Sequence, residues 1–297
     1  MLTVTADERA WFARCHRAWD LGARARQGLQ PRAVPPPGGV GPALLAALAI
    51  HYFPGMWTWD RAVVDPLVRR AYDDAGGPAD GRRLLTEFQR WAPGVDRFTP
   101  VRVQYDLDAP VPRPGQPGAH LATATGAAVR YRQRVPLVAV DEDERCWLVE
   151  HRVVDAFAAA DELALDEAGL AACWAWTESE LAPPPAGTQY TELRLDPPGA
   201  RRTVVPRSAV AIAEAGARLG RAVAAMLDPT VDVDPTPAWS HCRVCPFRIP
   251  CVAMQRGEDA GRLLATGYER RPPEELEEGR LGGTSWGLGR GARPPRW

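Results

Sequence analysis

Ser240-His241-Cys242-Arg243-Val244-Cys245-Pro246-Phe247-Arg248-Ile249-Pro250-Cys251 carries three cysteines spaced Cys-x2-Cys-x5-Cys. Thiolates that close in sequence can converge on one metal centre, and thiolate is the ligand that soft transition metals and iron–sulfur clusters prefer. Three ligands leave a tetrahedral or cubane site one short. Cys15, near the opposite end, is the best candidate for the fourth, so the pattern predicts a centre that ties the N-terminus to the C-terminal region. His241 stands beside Cys242 and reads as an exposed loop residue. Cys146 lies in a strand-like run and Cys173 on an apolar helix face beside Trp174 and Trp176, and both read as core.

The rest of the composition sets bounds. A chain of 297 residues is long enough for one large domain or two small ones. With 45% hydrophobic and 25% charged residues it fits a soluble globular protein. The net charge of -1 gives no global signature of nucleic-acid binding, so any such function must rest on local patches. All 36 basic residues are arginine, so no step here can use a lysine ammonium. Six cysteines without a secretory signal predict a reducing cytoplasm and no disulfides. No apolar run approaches the roughly 20 residues of a membrane span.

Residues 5–27 read as one amphipathic helix, with Cys15 inward beside Trp11 and Trp19. Helices are expected at about 42–51, 60–74 and 79–91, with an aromatic turn from Tyr52 to Trp59 that reads as packing between helices or as a docking surface. From Val101 the pattern alternates as strand. Val129–Val140 and Cys146–Val154 should pair as a hairpin across Asp141-Glu142-Asp143-Glu144. A helix follows at 161–180, then short strands at 190–195 and 202–205, a long Ala-rich helix at 208–227, and a Pro/Asp linker into the cysteine stretch. The fold class is therefore α/β in one domain over residues 1–268: a helical part (1–100), an α/β core (101–228) and the cysteine region (229–268). Residues 269–297 read as a disordered Pro/Gly/Arg-rich tail.

This order, with one cysteine far upstream of three, resembles the RecB-like branch of the PD-(D/E)XK nuclease superfamily. It is most similar to the iron–sulfur members, the CRISPR-associated RecB-like exonucleases and the AddB-type nuclease domains. The resemblance covers about residues 5–255 and implies a restriction-endonuclease-like fold. It implies a 4Fe–4S cluster on Cys15, Cys242, Cys245 and Cys251, with zinc as the alternative that four thiolates also suit. It also implies carboxylates that bring Mg²⁺ or Mn²⁺ to a scissile phosphate.

The catalytic positions depart from the family. Glu150-His151-Arg152 falls where Glu-x-Lys belongs, which keeps the carboxylate and replaces the lysine with an arginine, a phosphate clamp and a poor proton partner. Pro136 falls where the metal-binding Asp belongs, and it needs an edge or a bulge. Asp141 and Asp143 are close by but should point to solvent. Where the family has Gly-x3-His, Gly41 is followed by Leu45, and His51 is out of register. Where it has Gln-x3-Tyr, this chain has Ala168 and Ala172. The expectation is a nuclease-fold protein that keeps its inorganic staple and has lost catalysis. It would bind DNA or serve as an accessory to a helicase or an active nuclease subunit, with Arg130, Arg132, Arg134 and Arg152 lining one side of the sheet to meet phosphate. Two other readings remain open: an active nuclease with a rearranged site at Glu150, Arg152 and His151, and a zinc-stabilised protein scaffold.

Overall fold

The computed structural model describes residues 1–32, 39–179 and 183–271. Strand β1 (Leu2–Thr5) runs straight into helix α1 (Ala6–Arg14), because Thr5 and Glu8 cap each other's backbone amides at 3.2 and 3.0 Å. The single helix expected over 5–27 is two. Helix α1 ends at Cys15, whose backbone is extended (φ -164°, ψ 111°), and α2 (His16–Gly22) starts after it. Strand β2 (Leu29–Pro31), α3 (Val40–His51), a 3-10 turn (Pro54–Met56), α4 (Arg61–Asp74) and α5 (Ala79–Val95) complete a largely helical first hundred residues.

Next come β3 (Phe98–Pro110), β4 (Val129–Asp141) and β5 (Cys146–Val154), the last two joined by the expected hairpin. The helix expected at 161–180 is also two, α6 (Ala160–Ala164) and α7 (Glu167–Glu178). They are separated at Asp166, whose carboxylate caps the Gly169 amide at 2.9 Å. Strands β6 (Pro185–Arg194) and β7 (Gly199–Pro206) lead to α8 (Ala209–Leu227). The cysteine region forms α9 (Trp239–Cys242), α10 (Arg248–Gln255), α11 (Ala260–Gly267) and β8 (Tyr268–Arg270).

The protein is mixed α/β: a mixed six-stranded sheet flanked by helices. Strands β3, β4 and β5 form an antiparallel meander, β6 lies parallel to β5, and β7 is antiparallel to β6. Strand β1 pairs parallel to the first residues of β4. Because β3 occupies one edge of β4 along its length, β1 and β5 share the other, β1 against Val129–Arg132 and β5 against Leu137–Val140. One face of the sheet packs its apolar side chains with Trp174 and Trp176 of α7 and Leu219 and Val223 of α8. The other packs with Leu44 and Leu48 of α3, Val64 and Val68 of α4, and Leu84 and Phe88 of α5.

Strand β8 pairs antiparallel with β2, so the predicted tail begins with ordered strand at 269–270, and its remainder from 272 lies outside the described residues. The N- and C-terminal regions are thus joined by a ladder and by a small core of Leu21, Phe247 and Tyr268. Among the described residues no helix is long and apolar enough to cross a membrane.

Candidate functional site

The hairpin positions the residues of interest, and Pro136 sits at its break. Its neighbours in β4 belong to opposite faces: Val135 packs in the core against α7 and α8, and Leu137 packs in the core against α3 and α5. A regular strand would put residues two apart on one face. On the partner strand, Val103 pairs with Leu137 and Tyr105 with Val135 in one register, and between them Gln104 stays out of the ladder in a left-handed backbone (φ 49°). On the other edge, pairing with β5 begins only at Leu137. Pro136 therefore occupies a central strand where the ladder is interrupted, which is how a residue without an amide hydrogen is tolerated there.

Glu150 lies past the last β4–β5 pair, on the face shared with Leu148 and α7, and is half-buried. Burial pushes its carboxyl up to about 7, against the pull of Arg152 and with the Asp166 carboxylate adding to the rise. Arg152 lies on the same face, but its guanidinium is committed. It donates to Asp166 Oδ2 at 2.6 Å and stacks over the Tyr190 ring with its carbon 4.7 Å from the centroid. The same oxygen accepts from Tyr190 Oη at 2.8 Å and from the Gly169 amide. Arg207 in turn donates to Tyr190 Oη at 3.0 Å. The position expected to orient water or phosphate is instead the hub of a network that holds the start of α7 onto β5 and β6.

Asp166 and Tyr190 escaped the sequence reading. An Asp immediately before an apolar helical run is an N-cap signal and would have marked Asp166 as a helix start. Ala168 and Ala172 do lie on α7. Where the family pattern offers a glutamine from this helix, the polarity is inverted: Gln133 of β4 donates its side-chain amide to the Ala168 carbonyl at 3.1 Å and accepts from Tyr131 Oη at 2.8 Å.

His151 points the other way, stacked on Tyr52 with centroids 5.4 Å apart, so it cannot act with Glu150. Around it is a buried polar cluster. Arg202 and Asp96 form an ion pair at 2.8 Å with side chains only 5% and 4% exposed. Arg202 also donates to Tyr52 Oη and Thr191 Oγ1, both at 3.0 Å. Burial lowers His51 to about 3, helped by Arg61, whose guanidinium lies 2.8 Å from the ring. Burial lowers His151 to about 3 as well, with Arg202 adding to the effect. Gly41, Leu45 and His151 line one small cavity of about 50 Å³, and His51 belongs to the buried cluster. In the aromatic turn, Tyr52 is wholly buried and Trp59 is half exposed.

Asp141 corrects the expectation of a solvent-pointing turn residue. Its carboxylate accepts from the amides of Asp143 and Arg145, the Arg145 guanidinium and the Trp147 indole, at 2.8–3.0 Å. It is the keystone of the turn, while Asp143 is exposed and pairs with Arg145. Arg130, Arg132 and Arg134 alternate with Tyr131 and Gln133, which reach toward α7, so they lie on the opposite face from Arg152. They do not form one surface with it. Each is also paired across the sheet: Arg130 and Arg132 with Asp108, and Arg134 with Asp106 in a two-pronged contact at 2.8 Å. The expected basic patch is an interleaved row of both signs.

Cys15, Cys242, Cys245 and Cys251 line one cavity of about 550 Å³, between the α1–α2 corner and the α9–α10 segment. The helix break falls at Cys15, which lines this cavity together with Trp11, and all four cysteines are half-buried. Burial pushes the Cys245 thiol up, and the Cys15, Cys242 and Cys251 thiols add to the rise against a hydrogen bond from the Phe247 amide. Among the described residues no three His, Cys, Asp or Glu side chains stand close enough to hold a single metal ion. His241 lines the cavity but donates its Nε2–H to the Thr236 carbonyl at 2.7 Å. Cys146 and Cys173 are buried in the sheet core, as expected.

No protein-family model and no curated protein matches the chain. Among solved structures, one described as "Crystal structure of SSO0001" is similar over 75% of this chain and 89% of its own, at 11% identity and a TM-score of 0.34. A likeness that slight carries no argument about fold or activity.

Proposed function

We propose that this protein is a non-cleaving member of the RecB-like PD-(D/E)XK nuclease fold that holds a structural 4Fe–4S cluster and acts as a DNA-binding or accessory subunit. What carries the loss of catalysis is the state of Arg152. A residue at the lysine position whose guanidinium is spent on Asp166 and Tyr190 is not available to orient a water or a phosphate. Pro136 offers no ligand atom to partner Glu150, Asp141 is consumed by its turn, and Asp166, the carboxylate that raises Glu150, is held by Arg152, Tyr190 and the Gly169 amide.

Four cysteines around one cavity fit a cluster by the chemistry of their donors. A single zinc draws its thiolates to about 2.3 Å from one point. A cubane would take one thiolate on each iron, and four cysteines line this cavity. When bound, such a cluster ties the α1–α2 corner to α9 and α10 through iron–thiolate bonds, reinforcing the β2–β8 ladder.

Protein purified without air is expected to be brown, with iron and sulfide in equal amounts. Incubated with single-stranded and duplex DNA and Mn²⁺, it is expected to leave both intact. Nicking abolished by Glu150→Ala would overturn the catalytic part, and a colourless, zinc-loaded protein would overturn the cluster.

A further inference from the structure

We propose that the rim of the cysteine cavity is a binding site for single-stranded nucleic acid, with the phosphates held by arginine and a base stacked on Trp239. This rests on the DNA-binding reading above and replaces the strand arginines as its surface. The cavity is lined by Arg14, Arg17, Arg248 and Arg256, and no Asp or Glu lines it. From Ala238 to Gly257 the chain carries Arg243, Arg248 and Arg256 and no carboxylate. Arg14, Arg243, Arg248 and Arg256 are exposed, so their charge reaches solvent around the opening.

Their pairing contrasts with that of the β4 arginines. Arg17 meets Asp234 only at 3.7 Å and Arg256 meets Glu258 only at 3.9 Å. Arg14, Arg243 and Arg248 have no acidic partner among the described residues. On a chain whose net charge is -1, this is a local concentration of weakly paired positive charge on a concave surface, where field lines are focused.

Trp239 stands at the start of the same segment and is 76% exposed. An indole left in water costs free energy unless something covers it, and its ring face suits any base. A basic groove with an aromatic platform is the arrangement that holds single strands without reading sequence. Val244 and Ile249 are exposed on the same segment, so a protein surface is the rival occupant.

The test is fluorescence anisotropy of a short labelled oligothymidylate with the whole chain, at low and at physiological salt. Arg14→Glu combined with Arg248→Glu is expected to weaken binding by at least about tenfold and to flatten the salt dependence, since fewer counterions are released. Trp239→Ala is expected to weaken it by about tenfold at either salt. Circular dichroism and visible absorbance check that each variant keeps its fold and any cluster. Binding that survives all three substitutions, or that follows Arg130→Glu or Arg134→Glu instead, overturns this site and leaves the DNA-binding reading standing. No binding by the parent chain at low salt overturns both and favours a protein partner on this face.

Discussion

Glu150 and Arg152 show how one strand carries two groups with different fates. Arg152 gains a carboxylate, an aromatic ring and a structural role. Glu150 gains none of these and is left half-buried with its carboxyl pushed up to about 7. Below its ordinary value of 4.5 the group is protonated in folded and unfolded chains alike. As pH rises from 4.5 to about 7 the unfolded chain releases a proton that the folded chain keeps, so the fold loses stability, by about 3 kcal/mol once above 7. Glu150→Gln removes this loss. Urea unfolding is expected to show the variant more stable than the parent above pH 7 and the advantage gone below pH 4.5. An advantage independent of pH would mean that the carboxyl titrates like a surface group.

At the scale of elements, the contact of α7 with the sheet depends on Gly169. A Cβ there would collide with Tyr190 Oη and crowd Asp166 Oδ2, the oxygen that both Tyr190 and Arg152 bond. Gly169→Ala gains up to about 1 kcal/mol of helix propensity but overpacks this contact at a cost of about 1–3 kcal/mol. A net loss is expected, and Tyr190→Phe, which removes the colliding oxygen, should shrink it. Equal losses in both backgrounds would show that the hydroxyl is not the obstacle.

The opposite layer has its own pH dependence. His51 and His151 are both lowered to about 3, so the unfolded chain takes up protons below about 6.5 that the folded one refuses. The stability these neutral rings permit is present above pH 6.5 and declines as pH falls toward 3. His151→Phe keeps the stacking on Tyr52, removes a buried nitrogen that has no partner, and is expected to flatten the acid limb of the stability curve. An unchanged acid limb would place the sensitivity elsewhere, in Asp96 or the other carboxylates.

Across the whole molecule, stability is unevenly distributed. The central sheet is covered on both faces by large apolar clusters, whereas the cysteine region rests on Leu21, Phe247 and Tyr268 and one short ladder. Below about 40 residues a unit seldom supports itself without metal or disulfide help. If the proposed cluster is bound, its removal by chelation or oxidation is expected to open α9–α11 while the sheet, with α1–α2 packed on it through Trp19, stays closed. Hydrogen exchange would read this as faster exchange in residues 239–271 and unchanged protection in α2, β4, β5 and β6. Global unfolding, or no change in either region, would refute it.

Several features of this protein were legible from residue order alone, because they depend on neighbours in the chain. The hairpin follows from alternation broken by Asp141–Glu144. The helical first hundred residues follow from their periodicity. Other features waited on the tertiary structure, because they depend on groups far apart in the chain. Pro136 is tolerated because Gln104 and the end of β1 interrupt both of its edges. The β4 arginines lose their free charge to Asp106 and Asp108, some two dozen residues upstream, only once β3 is laid beside them. Arg152 is tied into a structural network because the start of α7 brings Asp166 within 2.6 Å. Alternation says which side of a strand a residue takes, and only packing says what meets it there.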